Sequence, residues 1–102
     1  MLYKKRPRGY KVIKQYHIVI KGRVQGVGYR WFARQAAEEL GICGYVKNLA
    51  NGDVEVVAEG EPAVVDKFIE YLRQGPSFAH VVDIQVKQKD FIQSFNNFEV
   101  SF

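Results

Sequence analysis

The apolar residues of this chain change period several times along its length, and the order of those changes is the strongest constraint on its fold. Tyr16, Ile18 and Ile20 alternate with His17, Val19 and Lys21, the two-residue repeat of a strand with one face buried. From Tyr29 the spacing lengthens. Tyr29, Phe32, Ala33, Ala36, Ala37 and Leu40 fall on one side of a helix, with Gly41 just past it as a C-cap. GYVKN and DVEVVAEG then read as two short strands joined through Leu49 to Gly52, with Asn51-Gly52 as the turn signal. Pro62 opens a second helix where its missing N–H costs little, Val65, Phe68, Ile69 and Leu72 form its stripe, and Gly75-Pro76 ends it. Val82, Ile84 and Val86 alternate in a fourth strand. Residues 88 to 97 read as a polar connection, and Phe98, Val100 and Phe102 alternate in a last strand.

The order βαββαβ, with one apolar face per strand and one apolar stripe per helix, has an economical solution. Two helices on one face of a mostly antiparallel four-stranded sheet bury every stripe at once, which is an α+β, ferredoxin-like sandwich. At 102 residues the chain is one domain, large enough to bury a core without covalent staples. The single cysteine, Cys43, excludes an internal disulfide and fits a reducing, cytoplasmic setting. No apolar run approaches the roughly 20 residues that span a bilayer, and the basic N-terminus lacks the apolar segment of a secretory signal.

The net charge of +4 is unevenly placed. Residues 1 to 14 carry six of the fifteen basic residues and no acid, so the remainder holds nine against eleven acids, or 9 − 11 = −2. The chain therefore divides into a basic, solvated arm over residues 1 to 14 and a folded domain over residues 15 to 102. An arm of this kind can meet RNA or a membrane surface, or be a plain leader. Without aromatic interleaving the leader is the reading the residues favour.

Between the first strand and the first helix stands GRVQGVGYR, with three glycines in seven positions and Arg30 in the first helical turn. Backbone N–H groups of a glycine-rich loop can gather around an anion, and a helix N-terminus adds unpaired donors and a positive dipole end. Arg30 supplies a planar fork that matches two phosphate oxygens. The run is neither a Rossmann fingerprint, since Trp31 stands at the third glycine position, nor a Walker A loop. From spacing alone a tight structural turn is as good a reading as a phosphate site.

GRVQGVGYR together with GYVKNLANGDVEVVAEG resembles the two signatures of the acylphosphatase family, in the right order and along their whole length. The element order from Tyr16 to Phe102, the Gly75-Pro76 break and the closing FNNFEV are similar as well. The resemblance implies hydrolysis of the carboxyl–phosphate bond of a small acyl phosphate, giving a carboxylate and inorganic phosphate, which is product and inhibitor. It implies that Arg30 binds the phosphoryl group and that the loop of Arg23, Val24, Gln25, Gly26, Val27 and Gly28 cradles it through backbone amides. Asn48 would orient the attacking water. It implies no cofactor and no metal. With the single cysteine, the lack of a spanning apolar run and the confinement of the excess charge to the arm, the expectation is a cytoplasmic monomer with neither a membrane nor nucleic acid as partner. The alternative is a non-catalytic anion- or RNA-binding module built on the same cradle and the basic arm.

Other polar residues have plainer readings. Asn48 alone would pass for a turn residue at a strand end. Arg23 and Lys47 read as solvated charge, His17 as a surface histidine, and His80 as uninvolved in chemistry. Cys43 reads as a small buried residue, and Tyr29 and Trp31 as packing. Asp53, Glu55 and Glu59 alternate like a solvated edge and not like a metal site.

Overall fold

The computed structural model describes residues 12–90 and 93–102. Seven elements follow in order: β1 (Lys14–Arg23), α1 (Tyr29–Leu40), β2 (Cys43–Asn48), β3 (Val54–Gly60), α2 (Pro62–Gln74), β4 (His80–Lys89) and β5 (Phe98–Ser101). They form one sheet in the order β4-β1-β3-β2-β5. β1 lies antiparallel to both β3 and β4, and β2 antiparallel to β3. Each strand–helix–strand unit thus straddles a strand of the other unit, the interleaving expected of the ferredoxin-like class. The strand count is five, not four. β5 adds to the outer edge of β2 in parallel, with Phe98 opposite Gly44 and Val100 opposite Val46. Phe98 is buried and meets the Phe68 ring edge-on at 5.9 Å. That long-range contact gives a four-residue segment a place in the sheet.

The inward positions of β1 and β3 are Tyr16, Ile18, Ile20, Val54, Val56 and Ala58, all buried. They receive Ala33, Ala36 and Ala37 of α1 and Val65, Phe68 and Leu72 of α2, also buried. Alanines on α1 let that helix approach closely, while Phe68 and Leu72 fill the wider space under α2. Each of the larger side chains contributes roughly 1.5–3 kcal/mol by leaving water.

β4 departs from the expected alternation. Lys21 pairs with Asp83, but Gly22 pairs with Val81, so Val82 is an extra residue in a β-bulge. Val81 and Ile84 pack against the core, while Val82 is 69% exposed. Val86 is exposed too, on an edge strand that reaches past its cover. Gly22 makes the bulge possible: its φ is +130°, and a Cβ there would lie 2.1 Å from the carbonyl oxygen of His80.

β3 is also not an edge. It is the central strand, and Asp53, Glu55 and Glu59 sit on or beside it with cross-strand partners. Lys21 pairs with Asp53 at 2.7 Å, His17 with Glu55 at 2.8 Å, and Gln15 donates to Glu59 at 2.8 Å. Of the basic arm, residues 1–11 lie outside the described residues, and Lys14 already pairs with Gly60 as the first residue of β1.

Candidate functional site

At one end of the sandwich the β1–α1 loop, the start of α1, the end of β2 and the last strand enclose a cleft of about 600 Å³. Its walls include Val24, Gly26, Gly28, Arg30, Asn48 and Phe102. Local chemistry explains why the loop opens here. Gly26 and Gly28 have φ of +75° and +78°, values open to glycine at little cost. Gly28 is the N-cap of α1, which has neither a side-chain cap nor an acid in its first turn. Among the described residues, none of the loop and cap hydrogen bonds is donated by a backbone N–H of residues 24–28. The helix start therefore presents uncapped donors and a positive dipole end beside the cleft.

Tyr29 fixes that helix start. It is buried, and its hydroxyl donates to the carbonyl of Leu72 on α2. Burial pushes its phenol well above the ordinary tyrosine range. The packing role expected of Tyr29 is therefore found. The next residue, Arg30, is turned to the cleft. Its Nη1 donates to the carbonyl of Ser101 at 3.0 Å, and its guanidinium lies 4.4 Å from the centre of the Phe102 ring. Most of its N–H donors remain uncommitted among the described residues.

Asn48 closes β2 just before the hairpin turn. The turn is held by Leu49 N–H to the Asp53 carbonyl at 2.8 Å, by Gly52 N–H to the Leu49 carbonyl at 3.2 Å, and by Asp53 N–H to the Asn51 side chain at 3.0 Å. Asn48 lines the cleft, and its Oδ1 is buried with no hydrogen-bond partner among the described residues. A buried amide oxygen without a donor is costly, and such an atom at the wall of a cleft is placed to accept a hydrogen bond from what enters.

The two signature segments are tied together by a side chain whose role the sequence did not reveal. Gln25 Nε2 donates to both the Leu49 and the Asp53 carbonyls, each at 2.8 Å. The loop that carries the glycines is thereby clamped to the hairpin that carries Asn48. Of the other loop residues, Arg23 is exposed and, like Gln25 and Val27, is not part of the cleft wall, while Val24 is buried and is.

Trp31 corrects the sequence reading. It is 58% exposed and lines the cleft instead of packing inward, with the Arg34 guanidinium 5.5 Å from its ring centre. Position 31 lies off the stripe of positions 29, 33, 36 and 37 that faces the sheet, a helical-wheel signal the sequence did contain. Asn97, Glu99 and Phe102 complete the far wall. Lys47 is exposed, across the sheet from Glu55. His80 is exposed, and Cys43 is half-buried at the start of β2. His17 is half-buried against Glu55 and is not free on the surface. Among the described residues no three His, Cys, Asp or Glu side chains stand where they could hold a metal ion. No helix among them is long and apolar enough to cross a membrane.

Residues 16–100 match the family model described as acylphosphatase. An acylphosphatase of Archaeoglobus fulgidus is 46% identical over 85 residues, covering 83% of this chain and 94% of the relative. One from Thermus thermophilus is 52% identical over 69 residues, or 68% of this chain and 78% of the other. The crystal structure of acylphosphatase from Bacillus subtilis superposes with a TM-score of 0.85 at 35% identity, covering 89% of this chain and all of that one.

Proposed function

Since the chain belongs to the acylphosphatase family, we propose that it hydrolyses small acyl phosphates in the cleft between the β1–α1 loop and the end of β2. The observation that carries the reading is the meeting of Arg30 and Asn48, from two separate signatures, on one cleft beside an uncapped helix start. Arg30 and the backbone amides of residues 23–28 hold the phosphoryl oxygens. The Asn48 Oδ1, unpartnered in the fold, accepts a hydrogen bond from water and aims its oxygen at phosphorus.

The reaction then needs little further apparatus. The water oxygen–phosphorus bond forms as the phosphorus–acyl oxygen bond breaks, and the electron pair of the broken bond leaves with the carboxylate. A carboxylate departs without protonation, so no general acid is required. The water proton passes to a phosphoryl oxygen of the substrate, which dispenses with a base on the protein. Catalysis rests on positioning and on charge stabilisation at the phosphoryl oxygens. Inorganic phosphate, as product, occupies the same cradle and inhibits. The enzyme works as a cytoplasmic monomer without metal or cofactor.

Release of inorganic phosphate from acetyl phosphate, measured with and without EDTA, tests this. Turnover unaffected by the chelator is the expected result. No turnover, with RNA retained on the protein, would favour the binding-module reading instead.

A further inference from the structure

Beside the cleft lies a buried carboxylate that is not part of its wall. Asp53 is 9% exposed and sits directly before β3, across the hairpin from Asn48, which pairs with Val54. Taking a carboxylate out of water is costly, and a buried ion pair is a poor way to gain stability. Stability alone does not explain a charge at this place.

The polar groups of Asp53 tie the glycine loop to the hairpin and hold the turn between. Its Oδ2 accepts from Lys21 Nζ at 2.7 Å and from Asn51 Nδ2 at 3.2 Å. Lys21 stands one residue before Gly22, at the root of the glycine loop. The Asp53 N–H donates to Asn51 Oδ1 at 3.0 Å, the hydrogen bond of an Asx turn. The Asp53 carbonyl accepts from Gln25 Nε2 and from Leu49 N–H, both at 2.8 Å. That Leu49 N–H shares a peptide plane with the carbonyl of Asn48. Holding it fixes the backbone from which the Asn48 side chain projects. The loop is thus joined to the hairpin twice, at its root by Lys21 and further along by Gln25, and both joins reach Asp53.

We infer that Asp53 is a positioning residue for the reaction, whose ion pair with Lys21 fixes the Asn48 amide relative to the glycine loop. The inference rests on the reading of Asn48 as the residue that orients water. Main-chain bonds and the Asx turn hold the hairpin's own shape, and they would do so around a neutral residue too. They do not fix the hairpin against the root of the loop, which the ion pair from β1 does. A displacement of about 1 Å costs on the order of 10²-fold in rate, so losing one of the two joins should lower kcat by about tenfold. Phosphate affinity should hold, because Arg30 and the loop amides keep their places.

The test is a double-mutant cycle on the whole protein, read by kcat for acetyl phosphate and by inhibition with inorganic phosphate, well below the unfolding transition. The variants are Lys21→Met, Lys21→Arg, Asp53→Asn and Asn48→Ala, with Lys21→Met and Asp53→Asn also combined with Asn48→Ala. Lys21→Met is expected to lower kcat about tenfold with phosphate inhibition unchanged, and Lys21→Arg to recover most of the loss. Asp53→Asn keeps the shape of the side chain and the Asx turn, so it carries the same cycle should Lys21→Met fail to fold. It is expected to lower kcat in the same direction by less. In the Asn48→Ala background neither change should cost anything more, because no amide is left to misplace. A loss that persists there in full would overturn the positioning role and leave Asn48 on the water. Unchanged kcat in both Lys21→Met and Asp53→Asn would do the same, as would a loss carried by weaker phosphate inhibition. Natural turnover in Asn48→Ala alone would overturn the inference together with the reading of Asn48 beneath it.

Discussion

Replacing Gln25 with methionine, which keeps the length and bulk of the side chain, removes both hydrogen bonds that clamp the glycine loop to the β2–β3 hairpin. The carbonyls left behind are not orphaned. Leu49 O still accepts from Gly52, and Asp53 O still accepts from Leu49. The cost is therefore two net hydrogen bonds at about 0.5–1.5 kcal/mol each, or roughly 1–3 kcal/mol in all, without a further desolvation penalty. With a urea slope of about 1–3 kcal/mol/M for a domain this small, the midpoint should fall by on the order of 1 M. Catalysis should suffer independently of stability. The clamp fixes where Asn48 stands relative to the loop, and a displacement of about 1 Å costs on the order of 10²-fold in rate. Well below the unfolding transition, Gln25→Met should lower kcat while inhibition by inorganic phosphate stays close to normal. Gln25→Glu should be worse in both respects, because a carboxylate would face two carbonyl oxygens. A variant with unchanged urea midpoint and unchanged kcat would show that the two bonds brace nothing.

Three further outcomes follow from particular contacts. Gly22→Ala should lower stability by at least about 2 kcal/mol, since it combines a positive φ with a Cβ 2.1 Å from the His80 carbonyl, and thermal unfolding should show it as a fall of order 10 °C in Tm. Burial alone would raise the Glu55 carboxyl, but hydrogen bonds from His17 and Tyr45 and the charges of His17 and Lys47 outweigh it and hold the group below its ordinary value of 4.5. A carboxylate with a depressed folded pKa stabilises above its unfolded pKa. That increment should disappear as pH falls below about 4.5, and Glu55→Gln should flatten the acid limb of stability against pH. The Tyr45 phenol is pushed up to about 12 by burial and then by its hydrogen bond to Glu55 and that group's charge. The folded state thus favours its neutral form, and stability should begin to fall as pH rises past 10, with absorbance titration placing tyrosinate formation in Tyr45→Phe at fewer residues.

What could be read from the sequence was local and periodic. The α1 stripe from Tyr29 to Leu40 needed only spacing, and the helix limits agree with the structure; Tyr29, Ala33, Ala36 and Ala37 are buried, while Phe32 and Leu40 are half-buried. The bulge at Val82 could not be read that way, because Val82, Ile84 and Val86 are evenly spaced and the irregularity arises from Gly22, about sixty residues earlier. The alternation of Phe98, Val100 and Phe102 marks a last strand, but its parallel pairing on the edge of β2, which makes the sheet five-stranded, is a long-range event that spacing does not encode. Asp53, Glu55 and Glu59 alternate as an edge would, yet strand order decides that question and periodicity does not. At the site, spacing alone does not separate a phosphate cradle from a tight turn, and Asn48 alone reads as a turn residue; only the two signatures together mark both. The Gln25 clamp joins residues 24 and 28 positions apart, beyond any local pattern. The exposure of Trp31 is legible on a helical wheel, because position 31 falls off the stripe of positions 29, 33, 36 and 37.

The central claim is a division of labour, with Arg30 on the phosphoryl group and Asn48 on the water alone, and separate substitution of the two residues tests it most directly. kcat for acetyl phosphate and the inhibition constant for inorganic phosphate should be measured on Arg30→Ala, Arg30→Lys and Asn48→Ala. Arg30→Ala should cut turnover by about 10³-fold or more and weaken phosphate inhibition, and Arg30→Lys should recover little, because a point charge cannot replace the planar fork. Asn48→Ala should lower kcat by roughly 10²–10³ while the phosphate inhibition constant remains near that of the natural protein. If folded Asn48→Ala no longer binds phosphate, Asn48 belongs to the phosphoryl cradle and the division is wrong. Turnover at the natural rate in both alanine variants would place the chemistry outside this cleft.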